Sequence, residues 1–192
     1  SQDLGGSGVY LNGEFAVIDG KAIDTNESLN LNGGLYVGLI QKPEESVTAG
    51  FNVTYLSYDE NQRFFTLGHG GYFSPQDFIS ATVPIAYTKQ TEQFDLKLDG
   101  AVGFQFFEED AVVYFPNRGD LQALAAAEAG DQPIVYAAQS DTTIGLRAGV
   151  DMNYKVSPYI HVGGELSFNQ TADFTEVVSL VRVRFWPGLA SQ

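Results

Sequence analysis

The segment FDLKLDGAVGFQF (94–106) carries the clearest structural signal in the chain. Its even positions are Phe94, Leu96, Leu98, Gly100, Val102, Phe104 and Phe106; its odd positions are Asp95, Lys97, Asp99, Ala101, Gly103 and Gln105. Successive side chains of a strand point to opposite faces, so this stretch reads as a strand with one apolar and one polar face.

The same split recurs along the chain. In 143–154, Ile144, Leu146, Ala148, Val150, Met152 and Tyr154 oppose Thr143, Gly145, Arg147, Gly149, Asp151 and Asn153. In 159–168, Ile160, Val162, Leu166 and Phe168 oppose His161, Glu165 and Ser167. In 175–186, Val177, Val181, Val183 and Phe185 oppose Glu176, Arg182 and Arg184. Segments 9–18, 29–40, 47–58 and 78–88 repeat the pattern, which predicts eight strands. Strands of soluble proteins usually run about five or six residues. These run about ten to thirteen, the reach a tilted strand needs to cross a bilayer.

The connections alternate in length. QKPEES (41–46), TKQTEQ (88–93) and KVSP (155–158) are short; 19–28, 59–76 and 108–141 are long, and NQTADF (169–174) is intermediate. Short periplasmic turns and longer extracellular loops produce this alternation in outer-membrane barrels, and both chain ends then fall on the short-turn side. Within the longest loop, LQALAAAEAG (121–130) predicts a short helix, with Asp120 as its N-cap and a closing glycine. No linker splits the chain, so one domain over 1–192 is expected.

Composition narrows the function. With 24 acidic against 10 basic residues the net charge is −14, which argues against nucleic acid as a partner, because phosphate binding needs a basic surface. Cysteine is absent, so disulfides and thiolate metal sites are excluded. No apolar run is long enough for a transmembrane helix. A soluble barrel of lipocalin type would alternate too, with its apolar face inside. Strand length, a polar face rich in glycine and mixed charge, and an apolar face nearly free of charge favour the membrane. A lipid-facing Lys or Arg at mid-bilayer costs about 2–4 kcal/mol.

The candidate lumen wall comprises Glu14, Asp95, Lys97, Asp99, Arg147, Asp151, His161, Glu165, Arg182 and Arg184. In a narrow barrel such charges form a salt-bridge plug; in a wide one they line water and contact a polar solute. A hydrolase built on His161, Glu165 and Ser167 fails on geometry: Ser167 lies six residues beyond His161, roughly 20 Å along an extended strand. Two histidines far apart, His69 and His161, make a poor metal site. No catalytic residue, metal or cofactor is therefore expected. In NQRFFTLGHGGYFSPQ (61–76), Gly68, Gly70 and Gly71 allow backbone conformations closed to other residues, and Pro75 fixes entry into the next strand. Tyr72 and Phe73 suit either an interfacial girdle or a sugar-stacking platform, and the plain structural alternative is a rigid loop folded back on the barrel.

The segment GHGGYFSPQ, spanning Gly68, His69, Gly70, Gly71, Tyr72, Phe73, Ser74, Pro75 and Gln76, is followed by DFISATVPIAYTKQ with Pro84 and later by YFPN (114–117). This sequence resembles the C-terminal outer-membrane β-barrel domain of the cellulose secretion porin that belongs to bacterial cellulose synthase, from about residue 61 to residue 186. The resemblance implies a bacterial outer-membrane pore, set in outer-membrane lipid and lipopolysaccharide, that exports a β-glucan chain. It implies as partners a periplasmic tetratricopeptide-repeat array and an inner-membrane synthase complex. The family barrel has sixteen strands, so the eight predicted here imply the C-terminal half. The competing expectation is a compact eight-stranded barrel, plugged by its own side chains, acting as an anchor or adhesion module.

Overall fold

The computed structural model describes residues 2–3, 6–171 and 175–186. It is almost wholly antiparallel sheet. After a two-residue bridge, β1 (Gln2–Asp3), come β2 (Gly8–Ile18), β3 (Asn26–Lys42), β4 (Glu45–Tyr58), β5 (Asp77–Gln90) and β6 (Phe94–Glu109). A long excursion follows, in which the short hairpin of β7 (Val112–Val113) and β8 (Val135–Tyr136) brackets α1 (Gly119–Ala129). The chain then returns as β9 (Gln139–Ser157), β10 (Ile160–Gln170) and β11 (Thr175–Phe185). The sheet runs in the order β1-β2-β3-β4-β5-β6-β9-β10-β11, each long strand paired with its neighbour in sequence. This is the up-and-down sheet of eight long strands that the alternation predicts.

Among the long strands β3, β5, β6, β9 and β10 extend beyond their expected ends on the loop side, most of all β9, which reaches Gln139 rather than residue 143. Polar residues such as Gln139 and Ser140 hide a strand end from a hydrophobic count, but they still complete the ladder with Glu109 and Glu108. Turns at one end of the sheet are two or three residues long, at 43–44, 91–93 and 158–159; those at the other are 19–25, 59–76 and 110–138. The connection expected at 169–174 falls partly outside the described residues. The helix is displaced by one or two residues from its expected span. Its N-cap is Arg118 with no capping side chain, and Asp120 lies in the first turn, where Arg118 donates to it at 2.8 and 2.6 Å. Gly130 ends the helix at φ +61°.

Directly paired residues share a face, so the ladders carry parity across the whole sheet. One face presents Leu11, Leu31, Phe51, Val53, Val83, Val102, Ile144, Leu166 and Val181. Its charges, Glu27, Lys42, Glu45, Asp77, Lys89 and Glu108, stand only at strand ends. None of these apolar side chains is covered: Leu11 is 80% and Val181 81% exposed, and no hydrophobic side chain among the described residues is buried. Apart from Pro75, the buried side chains are polar and sit at the long-loop end, where Asn26, Asn61, Gln62, His69, Ser74 and Glu109 are enclosed.

Candidate functional site: a two-part polar wall and its loop buttress

The ladders bring all ten sequence-predicted wall residues onto the face opposite the apolar one. They are not spread evenly. Nine lie on β6, β9, β10 and β11, and Glu14 alone lies on β2, directly opposite Asn30. On the charged side, Asp99 takes Arg147 at 3.6 Å and Lys97 at 3.9 Å, and Arg182 binds Asp151. Asp95 accepts from Asn153 at 3.4 Å. Glu165 faces Asp151 and Leu180, an apolar residue that shares the parity of Arg182 and Arg184 and that the sequence analysis did not single out. His161 lies between Lys155 and Arg184, its ring 4.5 Å from that of Trp186, while Ser167 faces Gly149 and Val178. His161, Glu165 and Ser167 thus share a face without meeting. The ion pairs are partly solvated, where such contacts contribute about 0–1 kcal/mol each.

The other half of the wall is neutral, and sequence reasoning overlooked it. Register sets Asn12, Asn32, Thr54, Ser80, Gln105 and Thr143 side by side across six strands. The adjacent row is Tyr10, Gly34, Asn52, Thr82, Gly103 and Gly145. Neither row contains a charge. Tyr10 reaches across Gly34 to donate to Asn52 Oδ1 at 2.9 Å, and Asn32 donates to Thr54 Oγ1 at 3.2 Å. A Cβ at Gly34 would lie 2.8 Å from both Phe51 O and the Tyr10 ring, so glycine is required for that reach. Where Thr82, Gly103 and Gly145 leave the wall low, a cavity of about 410 Å³ opens, rimmed by Asn52, Ser80 and Gln105. The signal was available only through turn lengths, which set which polar residue stands beside which.

The loop 59–76 folds back over the strand ends, as its plain structural reading expects. Asn26, fully buried, donates to Glu60 O at 2.8 Å and Tyr72 Oη at 3.0 Å, and accepts from Glu60 N at 2.9 Å. Tyr72 donates in turn to Gln62 Oε1 at 3.2 Å, while Gln62 N donates to Ser74 Oγ at 2.6 Å. Burial raises the Tyr72 phenol above its usual range, opposed by the hydrogen bond from Asn26. Gln76 accepts from Asp110 N at 2.7 Å, and the Pro75 carbonyl accepts from Tyr58 N at 2.9 Å. Phe73 packs edge-on against Phe78 and Phe107, two wall residues, with the Arg63 guanidinium 5.7 Å from its ring. It is thus part of the wall's upper rim rather than of a girdle on the apolar face. Gly68 and Gly71 use positive φ, at +102° and +73°; Gly70 does not, and a Cβ there would run into the Tyr72 ring. Gly70 is there for space.

Fold and wall together define the class: an all-antiparallel, up-and-down β-sheet protein, apolar on one face and polar on the other. The family model described as Cellulose synthase operon protein C C-terminus matches residues 1–187, and the chain belongs to that family. It is 32% identical over 195 residues to the cellulose synthase operon protein C of Xanthomonas axonopodis pv. citri (strain 306), a match covering 95% of this chain and 13% of that protein. It is 30% identical over 178 residues to the protein of the same name from Pseudomonas fluorescens (strain SBW25), covering 93% of this chain and 13% of that protein. Over 120 residues it is 38% identical to the cellulose synthase 1 operon protein C of Komagataeibacter xylinus, covering 62% of this chain and 9% of that protein. The chain therefore spans only a small fraction of the length of these curated relatives.

Proposed function

We propose that this chain forms one side of a bacterial outer-membrane β-barrel through which a β-glucan, most simply cellulose, leaves the cell. The observation that carries the reading is the uncovered apolar face. A sheet with no buried hydrophobic side chain among its described residues lacks the term that dominates folding in water, so it needs an apolar solvent. Outer-membrane lipid and lipopolysaccharide supply one. An eleven-residue strand reaches about 37 Å, and tilted by about 45° it spans about 26 Å, close to the roughly 25 Å apolar band of such barrels. The rim charges of the apolar face then fall at the two headgroup levels.

The opposite face becomes the inner wall. Rows of neutral amides and hydroxyls exchange hydrogen bonds with a neutral polyhydroxyl chain at little net cost, so the chain slides without being trapped. No covalent step is involved. A barrel of eight strands fills its interior with side chains, whereas Gly34, Gly103 and Gly145 keep this wall low. We therefore assign closure to further strands from outside residues 1–192, pairing with the free edges. The family's long remainder accommodates a periplasmic tetratricopeptide-repeat array delivering the glucan from an inner-membrane synthase complex.

Planar-bilayer recording on the full-length protein tests this. A stable open level is expected, reduced at least twofold by Gly145→Phe. A Cβ at that position meets only Gln170 O, at an ordinary 3.5 Å, so the strand accepts the ring, which then stands in the cavity. A protein that inserts but never opens would support the anchor or adhesion reading instead.

A further inference from the structure

Three long loops meet around a second cavity, of about 250 Å³, on the long-loop side of the sheet, sharing no lining residue with the cavity in the polar wall. It is lined by Lys21 and Ile23 from the first loop, Phe65, Thr66 and His69 from the second, and Asn117 from the third. Two features there have no account in the fold. Phe65 is 93% exposed, although it stands on the cavity wall with Lys21, Thr66 and Asn117. Isolated apolar residues at a surface are ordinary, but a bare aromatic ring at the mouth of a cavity with polar walls offers a stacking face.

The second feature is His69, 8% exposed and edge-on to the stacked rings of Phe64 and Tyr136. Its Nε2 lies 3.0 Å from Val113 O, and a carbonyl only accepts, so Nε2 carries the proton. Nδ1 is then a buried acceptor, and it has no partner. Thr66 and Asn117 add groups that both donate and accept, and Lys21 adds a donor with no acidic group within ion-pair distance among the described residues. Arg118, also on the lining, is engaged by Asp120.

We propose that this cavity is a saccharide-binding site, holding one pyranose ring stacked on Phe65 and hydrogen-bonded to Thr66, Asn117 and Lys21. At about 250 Å³ it falls just below the range of about 300–1,000 Å³ that takes drug-sized ligands, which suits a single ring rather than a length of chain. A glucan and the sugars of lipopolysaccharide both supply such a ring; the chemistry is shared. The site is separate from the inner wall, so it stands or falls independently of the export reading.

Saturation-transfer NMR on the full-length protein in detergent, with cellobiose and with purified lipopolysaccharide core oligosaccharide as probes, tests the assignment. Saturable binding of one probe, weakened at least tenfold by Phe65→Ala and three- to tenfold by Asn117→Ala, is expected, and the better probe identifies the source. Truncating Phe65 touches a side chain that the fold leaves in solvent, and electrophoretic mobility before and after heating verifies that the variant is folded. Neither probe binding saturably, or affinities unmoved by Phe65→Ala in a folded variant, would overturn it.

Discussion

Glu109 shows how much a single side chain settles at the loop end of the sheet. It is fully buried, it accepts from Arg63 at 2.9 Å and from Gln139, and its other oxygen has no partner. Arg63 is the only cation in contact with it among the described residues, and the same guanidinium lies over the Phe73 and Phe107 rings. Removing one member of a buried pair leaves a charge without compensation, a loss of about 3–5 kcal/mol where both partners are enclosed. Arg63 is 42% exposed, so the smaller figure of about 2–3 kcal/mol applies here. Arg63→Ala is therefore expected to loosen the loop 59–76 without unfolding the sheet. Limited proteolysis should then cut between residues 60 and 76 at least tenfold faster than in the parent protein, and an unchanged cutting rate would count against the buttress.

Among the strands, parity is the property to test. Val102 stands mid-strand on the apolar face and Gly103 beside it on the polar one. Val102→Arg is expected to lower stability in lipid vesicles by about 2–4 kcal/mol, read as a lower urea midpoint, because it places a guanidinium at mid-bilayer. An unchanged midpoint would reverse the assignment of faces. The helix makes a different prediction. The Arg118 guanidinium holds the Asp120 carboxyl down to about 2 from its ordinary 3.8. A depressed carboxylate stabilises above its ordinary value and ceases to do so as pH falls through the folded one, so the pair should weaken between about pH 3.8 and 2. A carbon-13 titration of Asp120 should show its midpoint near 2, and a midpoint near 3.8 would mean the pair does not form.

These elements also mark what the sequence made legible. The eight long strands, the alternation of turn and loop lengths and the division into faces were readable from residues 94–106 outward, because alternation is a local property and one slipped residue would reverse a strand. The neutral rows through Asn32 and Thr82 were not, because lateral neighbours depend on how the turns add up across several strands. Val178 and Leu180 share the parity of Glu176 and Arg182 and so stand as two apolar residues on the polar face of the last strand. The small hairpin of β7 and β8 is held by Tyr136, stacked on Phe64 at 3.5 Å from a loop some seventy residues earlier in the chain, and no local pattern announces such a contact.

For the molecule as a whole, the apolar face and the edge of β11, both uncovered among the described residues, lead to one expectation. Residues 1–192 expressed alone should aggregate in detergent-free buffer and stay dispersed only in detergent or lipid, as judged by size-exclusion chromatography. An unprotected strand edge invites intermolecular pairing, which adds to the hydrophobic drive. A monodisperse, sheet-rich chain in plain buffer would require the apolar face to be covered by a route the structure does not contain, and the membrane reading would fail with it.

Because no dry interior holds this sheet together, its inward side chains carry little of the burden of folding. In a water-soluble enzyme, re-lining a cavity disturbs the packing that keeps the chain folded; here the two tasks fall on opposite sides of one backbone. Positions such as Ser80, Thr82 and Gln105 should therefore tolerate wide replacement with the fold intact, and, on the proposed export role, a designer could change what passes the polar face while leaving the apolar one alone.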